Sequence, residues 1–140
     1  MSTELKISEF QRGRISPVRI IATNRGETNS SEGTWQDYIE ITVPCLLTVN
    51  ASARANYTGN GANAGIRLYI KLDEELIASD MCFEAQSHTV TFYSSASTTL
   101  YLEPGRYNLE VDRQDIRTNS NFKLSVNYFA VFAKKNRIVE

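Results

Sequence analysis

Apolar and polar residues alternate along most of this chain, and the alternation has the two-residue period of strands rather than the 3.6-residue period of helices. From Leu47 to Tyr57 the residues Leu47, Val49, Ala51, Ala53, Ala55 and Tyr57 fall on one face, and Thr48, Asn50, Ser52, Arg54 and Asn56 on the other. An unbroken run of this kind is a half-buried antiparallel strand. Its small alanines point to close approach by a facing sheet or a neighbouring subunit. The same period recurs in Ile39–Val43, Ile66–Leu72, Tyr107–Val111 and Phe122–Phe132. Weaker strands are predicted at Pro17–Thr23, Leu76–Phe83, His88–Tyr93 and Thr98–Leu102.

Turn signals separate these runs. Asn24–Thr34 and Arg113–Asn121 read as long polar loops, and Gly59–Gly65 (GNGANAG) as a flexible connection between strands. Asp73–Glu75 suits a hairpin, and Ser94–Ser97 reads as a small polar turn. Glu103–Arg106 carries Pro-Gly, with the glycine expected at positive φ. No segment is convincingly an amphipathic helix. Residues 1–16 read as an extended arm or a short helix, and 17–140 as one β-sandwich domain. Many short strands at near-regular spacing predict an all-β fold, an antiparallel jelly-roll sandwich of about 8–10 strands.

The last strand departs from simple alternation. Phe129 and Val131 occupy the face expected to be polar, so Tyr128–Phe132 is apolar on both sides. Such a strand is either central in its sheet or covered by another subunit. Tyr128, Phe129, Val131 and Phe132 are therefore the candidate oligomer interface.

Composition adds exclusions. The chain has 140 residues, enough for one domain with a proper core, and 15 basic residues against 16 acidic ones, for a net charge of −1. That balance offers no electrostatic footprint for nucleic acid. No apolar run approaches the roughly 20 residues of a membrane span. The opening MSTELKISEFQRGR holds no apolar stretch of signal-peptide length, so synthesis in a cytoplasm is expected, with later release or incorporation into a particle.

Candidate chemistry is sparse. There is one histidine, His88, and no G-x-S-x-G elbow. An enzyme would have to use His88 or an acidic pair such as Asp112 and Asp115, and no catalytic site is expected. Cys45 and Cys82 match no metal spacing and read as reduced, hydrophobic thiols, with a single bridge between them as the alternative. With His88 they would make a zinc set chemically, but not by spacing. Oxygen ligands for calcium exist at Asp73, Glu74 and Glu75 or at Asp112 and Asp115, although acidic turn residues are ordinarily just solvated; no cofactor is expected. Asn29, Asn50 and Asn56 head N-x-[ST] sequons that fit an Asn/Ser/Thr-rich surface. A carbohydrate-binding surface would draw on Trp35, Tyr38, Asn60, Asn63, Tyr57 and Tyr69. Trp35 reads more naturally as a staple at the start of a strand.

The segment LYLEPGRYNLEV, with the closing strand FKLSVNYFAVF, resembles C1q/TNF-like jelly-roll domains and is similar to small jelly rolls of phage tail and other virion appendage proteins. The resemblance implies a homotrimer whose last strand packs centrally, toward the trimer axis. It implies a non-enzymatic structural or attachment module that binds a host glycan, a protein receptor or a component of its particle.

Overall fold

A computed structural model describes residues 19–59, 62–86 and 89–134. The proposed arm, Asn60 and His88 lie outside that set. The described residues form eight strands: β1 (Ile20–Thr28), β2 (Thr34–Ile41), β3 (Cys45–Tyr57), β4 (Ala62–Leu72), β5 (Glu75–Gln86), β6 (Val90–Leu102), β7 (Gly105–Ile116) and β8 (Ser120–Phe132). They make two antiparallel sheets, ordered β1-β8-β3-β6 and β2-β7-β4-β5, which is a jelly roll.

The topology reduces to one folded ribbon. Its tip is the two-residue turn Asp73–Glu74, where both φ angles are positive (51° and 71°), as a type I′ hairpin needs. Asp73 holds this costly conformation with two bonds to Asn108: its N–H donates to the Asn108 carbonyl and its Oδ1 accepts from the Asn108 N–H, both at 2.8 Å. Behind the tip the chain pairs with itself in nested order. Leu72 faces Glu75 and Cys45 faces Leu102, residue numbers that sum to 147 in both pairs. Ile41 faces Gly105, and beyond the connecting segments 29–33 and 117–119 Thr28 faces Leu124. Rolling the ribbon inserts β8 between β1 and β3, and β7 between β2 and β4.

The inward positions fill the space between the sheets. Leu47, Val49, Ala51, Ala53 and Ala55 of β3 face Ile66, Leu68 and Ile70 of β4, with Phe92, Leu109, Val111, Leu124 and Val126 closing the core. The alanines of β3 thus look at the opposing sheet, which they let approach closely.

Each open side of the sandwich is pinned by a carboxylate. On one side Asp37 of β2 accepts from the Tyr128 hydroxyl at 2.6 Å and from Asn24 Nδ2 at 3.0 Å. Burial, reinforced by that carboxylate, raises the Tyr128 hydroxyl far above its ordinary range. On the other side Asp80 of β5 accepts from Ser94 Oγ at 2.7 Å and the Ser95 N–H at 3.0 Å. At one end Arg113, with a fully buried side chain, forks onto Asp115 (2.9 and 3.0 Å). It also donates to the carbonyls of Ser30 and Ser31 and lies over the Phe122 ring.

Several expectations change. The serine-rich stretch Ser94–Ser97 is the middle of β6, not a turn. Ser94 is buried but satisfied by Asp80, and Ser95 and Ser97 face solvent, so small polar side chains fit an edge strand. Two expected strands thereby merge. The loop after β1 shrinks to residues 29–33, because β1 continues through polar TNRGET as a sheet edge. Most of the glycine-rich stretch is β4. Gly105 lies nearly extended at φ 159° rather than in the left-handed region.

Candidate functional site

The outward face of the β1-β8-β3-β6 sheet carries a regular array of side chains. Cross-strand register lines them up in five rows. Ile20, Val131, Leu46 and Tyr101 form the first, and Thr23, Phe129, Thr48 and Thr99 the second. Arg25, Asn127, Asn50 and Ser97 form the third, and Glu27, Ser125, Ser52 and Ser95 the fourth. Lys123, Arg54 and Tyr93 form the fifth. At two residues per row the array runs about 27 Å along the strands.

Its polarity changes steadily along that length. The first two rows hold no charge and leave apolar carbon in solvent: Ile20 is 59% exposed, Leu46 39% and Phe129 37%. Phe132, 43% exposed, has the inward parity of Tyr128 and Ala130 and pairs with Cys45 at the end of the strand, with the Arg19 guanidinium 5.2 Å from its ring centre. The middle is knit by neutral bonds, Thr48 to Thr99 at 2.9 Å and Asn50 Nδ2 to Asn127 Oδ1 at 3.3 Å. The far end is charged. Lys123 Nζ lies 2.8 Å from Glu27 Oε2, a contact that holds the Glu27 carboxyl below its usual range. Arg54 donates to the carbonyl and the side-chain oxygen of Asn121.

Of the proposed interface residues, Phe129 and Val131 lie in this array, while Phe132 has the parity of the inner face at the end of its strand. Tyr128 points inward and is buried, committed to Asp37. The pattern of β8 flagged its outer residues. Ile20, Leu46 and Tyr101 went unnoticed because each looks unremarkable in its own strand and joins the patch only through register.

The proposed carbohydrate residues that the structure describes do not gather. Trp35 is half-buried at the β1/β2 side, packed over Gly26 and tilted against the Tyr128 ring with centroids 6.2 Å apart. Tyr57 is a core residue. Tyr38 is exposed on β2 beneath the Arg106 guanidinium (4.7 Å), and Tyr69 lies half-buried on β4 beside Lys71 and Arg67, two positions away along the strand. Asn63 is exposed at the start of β4. Tyr93, 68% exposed, was missed because it sat in a weakly patterned strand.

Among the described residues, the proposed ion and acid–base sets do not converge either. Asp112 and Asp115 face opposite sides of β7, one bound to Lys71 and Thr34, the other to Arg113. Glu110, hydrogen-bonded to Asp112 on the outer face, has its carboxyl raised by that neighbour. Asp73 is occupied by Asn108. Among the described residues no three His, Cys, Asp or Glu side chains are grouped to hold a metal ion. Cys45 and Cys82 are free, on different sheets.

No known protein family matches the sequence, and no curated protein matches it. A comparison of folds finds, among others, the globular domain of zebrafish complement 1qA protein, at 16% identity over 71% of this chain and 70% of that one, with a TM-score of 0.41. That likeness is too distant to carry a functional argument, and the jelly roll stands on the strand order itself.

Proposed function

We propose that this domain is a non-enzymatic jelly-roll assembly and attachment module that works as a homotrimer in a phage, prophage or other viral particle. One observation carries the self-assembly: an uncharged, apolar end on the outer face of a sheet whose inner face already has a complete core. Ile20, Leu46, Val131 and Phe129 are not needed to bury the sandwich. An interface core is depleted of charge and enriched in aromatic residues, as these rows are, and the Thr and Asn rows beside them supply the polar rim. The trimeric state and the particle setting follow the sequence resemblance to virion jelly rolls. A host receptor or particle component would then be held by the surfaces that the trimer leaves open.

Light scattering and sedimentation at micromolar concentration test this. The native protein is expected to run as a single trimer. Leu46→Glu with Phe129→Glu should give a monomer with unchanged β-type circular dichroism, because both side chains already contact solvent. A native monomer, or a trimer indifferent to both changes, would overturn the reading.

A further inference from the structure

The charged end of the same face holds a concavity of about 360 Å³, lined chiefly by Ser52, Arg54, Tyr93, Ser95, Lys123 and Ser125. We infer that this concavity is a binding site for an acidic saccharide, a sugar ring bearing a carboxylate. The inference goes beyond the assembly reading and does not depend on it.

Three features support it. First, Arg54 and Lys123 are direct cross-strand partners, a like-charge pairing that weakens a sheet and serves no packing purpose. Lys123 pairs directly with Glu27, whose charge also reaches Arg54, while the hydrogen bonds of Arg54 go to neutral oxygens of Asn121, through Nε at 3.2 Å and Nη2 at 3.1 Å. The two cations thus share one carboxylate, and the Arg54 guanidinium is oriented with no direct carboxylate bond of its own, which suits it to a planar carboxylate. Second, the Ser52 and Ser95 hydroxyls have no partner among the described residues, and that of Ser125 makes only a 3.3 Å bond to Glu27. A hydroxyl both donates and accepts, as sugar hydroxyls require. Third, Tyr93 of β6 is the direct cross-strand partner of Arg54 in β3 and is 68% exposed, giving an apolar platform beside the cation. Asp80 lies at the rim, with Oδ2 occupied by the Ser94 hydroxyl and the Ser95 N–H.

The test is titration of the full-length protein, followed by NMR and calorimetry, with sialyllactose, lactose and sodium sulfate as probes. Sialyllactose should bind with millimolar or tighter affinity, lactose at least about tenfold more weakly, and the binding should weaken with salt. Arg54→Gln and Tyr93→Ala should each reduce affinity about tenfold or more while leaving circular dichroism and oligomeric state unchanged. Glu27→Gln frees Lys123 and should tighten binding, an outcome that a merely structural role for this cluster would not produce. Equal binding of lactose would overturn the acidic preference, and full competition by sulfate at matched charge would overturn the saccharide. No resonance shift at Tyr93 with any probe would overturn the site. A trimer that binds nothing refutes this inference alone, and a monomer that binds sialyllactose refutes only the assembly reading.

Discussion

Replacing Gly26 with alanine probes how the two sheets are closed on their β1/β2 side. Gly26 lies in β1, and the Trp35 indole of β2 rests directly against its α-carbon. A β-carbon there would fall 2.6 Å from Trp35 Cδ1 and 2.9 Å from Cε2, and nearer still to Nε1. Carbon atoms pack at about 3.5–4.0 Å, so the indole must retreat by about 1 Å or more. It cannot do so freely, because its other side meets the Tyr128 ring. Overpacking of this kind costs about 1–3 kcal/mol, and removing a glycine from a strand returns about 0.5–1 kcal/mol of conformational entropy. The net destabilisation should be about 1–2 kcal/mol, a fall in Tm of about 3–10 °C for a chain of this size. Trp35 is the only tryptophan, so its emission reports this contact alone. Thermal melts followed by fluorescence should show the lower Tm together with a red-shifted native spectrum. In a Trp35→Leu background the same alanine should cost almost nothing, a coupling of about 1–2 kcal/mol. An alanine variant with native Tm and native emission would show that the indole does not seat on β1.

Two further predictions concern the polar pins. Asp80 is held below its usual pKa by the Ser94 hydroxyl and then the Ser95 N–H, so it stabilises the folded state above the unfolded-state value, about 3.9, and that contribution is lost as pH falls through the lower folded value. Asp80→Asn should therefore cost about 1 kcal/mol at pH 7, discounted for its exposure, and the gap from the native protein in denaturant melts should close below about pH 4; a gap constant with pH would contradict the charge-assisted bonds. Arg113→Lys keeps the charge but loses the fork on Asp115 and the reach to Ser30 and Ser31, and should cost about 2–4 kcal/mol. Hydrogen exchange should then quicken at the Arg113 N–H, which bonds the Gly33 carbonyl at 2.6 Å, and unchanged protection there would show that the fork does not hold the loop.

The two-residue period determined that this chain makes strands and which residues of β3, β4, β7 and β8 face inward, and the acidic turn signal at Asp73–Glu75 placed a hairpin there, whose tip the structure narrows to Asp73–Glu74. These are local properties, since a strand with one buried face must alternate wherever it lies. The limits of the weaker strands were not local. β1 and β6 are sheet edges whose outer residues meet water, so TNRGET and SSAS carry loop-like composition while making ladder bonds. Tertiary structure also decided what each side chain is for. Tyr128 and Phe129 are adjacent and both aromatic, yet one is bound to Asp37 in the core and the other lies in solvent. The apolar patch and the serine-lined concavity arise because β3 and β8 run antiparallel, which sets Leu46 beside Val131 and Arg54 beside Lys123. Those residues are 85 and 69 positions apart in the chain. Only register brings them together, and register is fixed by how the whole ribbon rolls.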